Sequence, residues 1–77
     1  MDIDKIKSTI NKFPGILEIH GFYVWSISLE EHALMTHVVC SSKLIKSKFY
    51  KKFENLMKKN DIKFYTVQLE DSQENLY

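Results

Sequence analysis

The side chains best suited to chemistry in this sequence are three histidines, His20, His37 and His32, and a few carboxylates. In a strand, successive side chains point to opposite faces. His20, Phe22, Val24 and Ser26 therefore share one face of one segment, and Gly21, Tyr23, Trp25 and Ile27 share the other. In the next segment, Ala33, Met35, His37 and Val39 share a face. In a third, Thr66, Gln68 and Glu70 lie opposite Tyr65, Val67 and Leu69. Neighbouring strands can bring His20, His37 and Glu70 together if their registers agree, and Gly21 leaves the register beside His20 open. Two imidazoles and a carboxylate make a zinc shell with an open or water-filled fourth position. The same nitrogen and oxygen donors suit manganese, iron, cobalt or nickel. The spacing is not a known metal signature: HExxH, CxxC and a Cys/His finger pattern are all missing. The plainer reading makes His20 and His37 sheet histidines with ordinary hydrogen-bond partners, and His32 an exposed loop residue.

Little else points to catalysis. Cys40 is the single cysteine, with no base or orienting group near it in the sequence, and reads as a small buried hydrophobe. Glu70 lacks a second carboxylate with which to share acid–base work. Glu30 and Glu31 fall in a polar stretch read as a solvated loop, and the chain has no glycine-rich phosphate loop. The chain is not expected to be an enzyme. Phe22, Tyr23 and Trp25 could stack on bases. The lysines, however, cluster between Lys43 and Lys63 instead of interleaving with those aromatics, and the net charge is only +1. No nucleic-acid partner is expected. The lysine cluster reads as the solvated face of a helix, with a phosphate-binding surface as the second reading.

The elements that must position these residues follow from hydrophobic periodicity. Ile3, Ile6, Ile10 and Phe13 recur at helical spacing, which predicts an amphipathic helix over about residues 2–13. Asp2 or Asp4 favours its start, and Pro14-Gly15 ends it. Residues 16–28, rich in β-branched and aromatic side chains, read as a strand with a bulge or close approach at Gly21. Residues 29–32 read as a hairpin loop, and Ala33–Cys40 as an antiparallel second strand. Ser41-Ser42 is placed to cap a second helix with an apolar stripe of Ile45, Phe49, Phe53, Leu56 and Met57. Asn60-Asp61 closes that helix, residues 62–70 read as a third strand, and residues 71–77 read as a frayed polar tail. The order α-β-β-α-β predicts an α+β, ferredoxin-like domain: a three-stranded sheet with two helices on one face. The other sheet face is left uncovered, and an apolar uncovered face usually meets a partner, often a second copy.

Length and composition set the bounds. The chain has 77 residues, which is one domain, and a domain this small gains from oligomerisation. At 44% hydrophobic and 27% charged residues it is globular in composition, not disordered. One cysteine fits a reducing compartment. No apolar run approaches the ~20 residues that span a bilayer, and Asp2 and Asp4 stand where a secretory signal would carry positive charge. A soluble, cytoplasmic domain is expected.

Three stretches, in order, resemble the C-terminal domain of cation diffusion facilitators. Residues Pro14 to Ile27, PGILEIHGFYVWSI, are close to that family's "PGV…vHDLHVWSI". His32 to Val39, HALMTHVV, is close to "HALsaHVVV", and Tyr65 to Glu70, YTVQLE, is close to "hTIQlE". The resemblance covers roughly residues 3–70. It implies a regulatory domain on the cytoplasmic face of a divalent-cation efflux transporter of the zinc type. It also implies partners: a homodimer, a transmembrane transporter domain absent from this chain, and Zn2+ or another divalent cation that favours the closed dimer. Carried over by position, His20, His37 and Glu70 are the implied metal ligands. The sequence departs from the family at Gly21, where the family has aspartate, and at Tyr23, where it has histidine. Gln68 stands where some relatives have histidine. Both losses, at Gly21 and at Tyr23, keep open a second reading, a metal-independent dimerisation module that works alone. A third is a domain of this topology that binds a small regulatory molecule.

Overall fold

The computed structural model describes residues 2–71. Helix α1 (Ile3–Asn11) starts at Asp2, whose carboxylate accepts the Lys5 backbone N–H at 3.0 Å. That bond satisfies one of the donors a helix start leaves open. Ile6 and Ile10, four apart, are the buried stripe of α1. Phe13 lies beyond the helix end but still reaches the core, its ring edge-on to Phe49 at 5.9 Å. The turn that follows needs Gly15. Its φ is 87°, and a Cβ there would come within 3.0 Å of Leu44.

Strand β1 (Ile16–Ser26) runs antiparallel to β2 (His32–Cys40), and β2 runs parallel to β3 (Ile62–Asp71), with β2 in the centre. Helix α2 (Lys46–Lys59) makes the crossover that a parallel pair requires. This is the α+β, ferredoxin-like α-β-β-α-β arrangement expected. One apolar cluster joins Ile6 and Ile10 of α1, Phe49, Phe53 and Met57 of α2, and Leu34 and Val38 of β2. Both helices therefore cover the same sheet face. Ile16, Ile19, Phe22 and Val24 of β1 and Val67 and Leu69 of β3 pack around that cluster.

Four expectations change at the element ends. His32 is not a loop residue: it opens β2, half-buried, level with Ser26 on one side and Ile62 on the other. The reversal spans residues 27–31, one residue longer than the expected 29–32 and beginning earlier because β1 ends at Ser26, and the Ile27 N–H donates to the Glu31 carbonyl at 2.9 Å. Ser41 and Ser42 do not cap α2. The Ser41 hydroxyl accepts the Lys43 N–H at 3.2 Å and turns the chain earlier, and α2 begins only after Ile45, which makes no side-chain cap. The intervening residues carry the chain off the sheet end and set Leu44 against the core. This late start leaves Ile45 exposed instead of on the buried stripe. At the other end Asp71 is not frayed but is the last residue of β3, opposite Cys40. The rest of the expected tail, residues 72–77, lies outside the described residues.

Candidate metal centre

The register decides which of the candidate ligands meet. Between β1 and β2, Ile19 is opposite Val38 and Gly21 is opposite His37. His20 is thus the extra residue of a bulge, with no partner across the ladder. A second irregularity leaves Leu17 extra between Ile16 and Glu18. Without the bulge, strict alternation would put His20 on the face of Phe22 and Val24, under the helices. With it, His20 is exposed, and its Nε2 lies 3.6 Å from Glu18 Oε2. The bulge is secured from the core side. Thr36, fully buried, donates its hydroxyl to the Gly21 carbonyl at 2.6 Å.

On the other edge, β2 and β3 set His37 level with Gln68, and Val39 level with Glu70. The Glu70 side chain reaches back so that its Oε1 lies 3.3 Å from His37 Nδ1. Both side chains keep access to solvent. The structure therefore brings His37 and Glu70 together and gives His20 to Glu18. Among the described residues no three His, Cys, Asp or Glu side chains converge as a metal group. The bulge is the physical reason that His20 stands apart. Glu18 is the neighbour that period-2 reasoning did not single out, and Gly21 is the residue that signalled the bulge.

Gly21 and Tyr23 act on the same patch. A Cβ at position 21 would lie 3.1 Å from Cε2 of the Tyr23 ring. The ring covers the strand position directly across from His37, so Tyr23 fills space that a side chain at 21 would use. Around it the helix-free face of the sheet is apolar. Tyr23 is 57% exposed, Trp25 50% and Phe64 54%, with Met35 beside them on β2. This face carries the His37–Glu70 pair at one end and exposed aromatics at the other.

As donors, an imidazole nitrogen and a carboxylate oxygen fit a borderline or hard divalent cation. Two donors are half of a tetrahedral shell, so the pair fits a metal that takes its remaining ligands elsewhere.

No family model matches the sequence, and no curated protein matches it. Solved structures do. The metal-bound C-terminal domain of the CzcD transporter from Cuprividus metallidurans is similar at a TM-score of 0.78 and 24% identity, covering 91% of this chain and 99% of that one. The metal-bound C-terminal domain of the CzcD transporter from Thermotoga maritima is similar at 0.74 and 18% identity, covering 96% of this chain and 90% of that one. At these identities the likeness establishes that the chain has their fold.

Proposed function

We propose that this chain is a metal-responsive dimerisation domain of the cation diffusion facilitator type, the cytoplasmic C-terminal part of a divalent-cation efflux transporter. The observation that carries the reading is the His37–Glu70 pair, 3.3 Å apart on the helix-free sheet face of a fold it shares with two metal-bound transporter domains. His37 and Glu70 supply two metal ligands. His20, held on the bulge beside Glu18, is the third candidate, and water or a second copy completes the shell. The metal supplies charge: it neutralises carboxylates that otherwise repel and favours the closed arrangement of two copies. The equilibrium shifts by no more than the metal's differential affinity for that state. The apolar half of the same face, around Trp25 and Phe64, supplies the contact. Among the described residues no helix is long and apolar enough to cross a membrane, so in this reading the transport step belongs to another segment.

Calorimetric titration with Zn2+ tests the metal. The wild type is expected to bind saturably. His37→Ala is expected to weaken binding at least about tenfold, the low end of what even outer-shell partners of a metal ligand contribute. His20→Ala gives a smaller loss. An absence of heat in the wild type, or equal heats in the wild type and His37→Ala, would sink the metal role.

One observation favours a second reading, a metal-independent dimerisation module. The Tyr23 ring stands over Gly21, where a further ligand would otherwise project, while the aromatic patch is intact. Sedimentation with zinc and with chelator separates the two. A dimer that persists unchanged in chelator supports the second.

A further inference from the structure

The lysine cluster has no part in the proposed metal site. Eight of the eleven lysines but only two of the ten acidic residues fall between Lys43 and Lys63, so that stretch carries +6 and the rest of the chain −5. Part of this charge surrounds a cavity of about 480 Å³ between the end of α1 and the start of α2. Phe13, Ile45 and Phe49 give it an apolar lining, and Lys43, Lys48 and Lys52 give it a cationic rim. Its size falls within the range of small-molecule sites.

The rim is electrostatically unfavourable by itself. Lys48 and Lys52 are four residues apart on α2, where like charges stand one above the other and repel. The first turn of α2 contains no acidic residue to offset Lys46 and Lys48. The ion pair on α2 is Lys58–Glu54, near the other end of the helix. Among the described residues Lys43, Lys48 and Lys52 have no carboxylate partner. A solvated lysine face needs no cavity beneath it and no aromatic lining, and here both are present.

We propose that this cavity binds a phosphomonoester carried on an apolar body. A phosphomonoester brings a charge of about −1.5 to −2 at neutral pH and three acceptor oxygens, which suit a rim that carries three lysines. The apolar body takes the place against exposed Ile45 and half-buried Phe13, which inorganic phosphate would leave wet, with buried Phe49 behind them. A nucleic-acid strand spreads single charges along a line and suits an extended groove better than this short, half-open cavity. The chemistry is shared by two sources: a soluble aromatic or alkyl phosphate, and a lipid whose headgroup is a phosphomonoester. The proposal is independent of the metal site.

The test follows backbone amide shifts of the 77-residue chain in chelator, so that metal plays no part. Phenyl phosphate, inorganic phosphate and a short single-stranded DNA are titrated separately. Sedimentation is then measured with phosphatidylcholine vesicles, with and without phosphatidic acid. Saturable phenyl phosphate shifts are expected around residues 41–52, with weaker binding of inorganic phosphate. The double change Lys48→Gln, Lys52→Gln is expected to weaken binding about tenfold, the value of one charge-assisted hydrogen bond. Lys59→Gln, outside the cavity, leaves binding unchanged. Both lysines of the double variant are exposed, and unchanged amide dispersion elsewhere confirms that it folds. Co-sedimentation only when phosphatidic acid is present assigns the lipid source, and phenyl phosphate binding without co-sedimentation assigns the soluble one. The proposal is overturned if phenyl phosphate and vesicles both fail to bind, or if the double variant binds as well as the wild type. It is also overturned if inorganic phosphate binds as tightly as phenyl phosphate, or DNA more tightly.

Discussion

On one face of the sheet, Leu34, Thr36 and Val38 of β2 lie beneath two helices and are almost fully excluded from solvent. On the other, Met35 and His37 of the same strand reach solvent among exposed aromatics. The two sets alternate residue by residue, so a one-residue slip would exchange them. The covered face is constrained by volume: its side chains interlock with Phe53 and Ile10, and any change of size is felt. The helix-free face carries no helix, and in the proposed reading it is where a second copy docks. Tyr23, Trp25 and Phe64 on it are half exposed, so volume ties them less tightly, while Ala33 and Val39 of the same face are buried.

The largest expected effect tests the covered face. Phe53 is 1% exposed and packs its ring 5.7 Å from that of Phe49 and 5.6 Å from that of Tyr65. Phe53→Ala is expected to cost ~3–5 kcal/mol through lost transfer energy and the cavity left behind. That is a large part of the whole stability of a domain this size, so urea denaturation should find the variant largely unfolded or close to it. A cost below about 1 kcal/mol would mean that the helices are not the clamp described here.

The next effect joins the faces. Thr36 belongs to the covered set, yet its hydroxyl donates across to the Gly21 carbonyl at the bulge that turns His20 outward. Thr36→Val keeps the shape and removes the donor. It is expected to cost about 1 kcal/mol. It should also speed hydrogen exchange at Gly21 and Phe22 more than at Phe53. Uniform acceleration across the sheet would show that Thr36 only fills space and does not hold the bulge.

How far the sequence could be read follows the same division. The stripes of α1 and α2 and the strands were legible because burial repeats at 3.6 or 2 residues, and Ile6, Ile10, Phe49, Phe53 and Met57 all obey the period. The N-cap of α2 was not, because Ser41 has the right chemistry but is spent on a local turn with Lys43, and only the path of the chain shows this. The polar neighbours Glu30 and Glu31 make His32 read as loop, whereas β2 claims it through its pairing with Ser26 and Ile62. In the site, Glu70 was placed with His37 by alternation on β2 and β3, where pairing beyond His32 is regular. His20 lies on the one strand that breaks alternation twice. Gly21 announced an irregularity without giving its direction, so the partnership of His20 with Glu18 could be read only from coordinates. The lysines were legible as a helix face. The cavity under them was not, since Phe13 reaches it from across the fold.

The smallest expected effect on folding is at Trp25, and it sharpens the contrast most. Trp25 is half exposed, opposite Ala33 on the helix-free face. Trp25→Thr keeps a β-branched residue suited to a strand and deletes the ring. At concentrations where the chain is monomeric, the change is expected to shift unfolding by no more than about 1 kcal/mol, as for surface positions generally. At higher concentration it is expected to weaken self-association about tenfold or more in sedimentation equilibrium, because aromatic anchors at the centre of an interface carry much of its energy. The two measurements separate in a way Phe53→Ala cannot. A residue that serves only folding lowers stability at every concentration, whereas one that serves only docking changes the concentration dependence. If Trp25→Thr lowers monomer stability as far as Phe53→Ala does, the helix-free face is part of the core. If it changes neither quantity, the aromatic patch is not where a second copy docks.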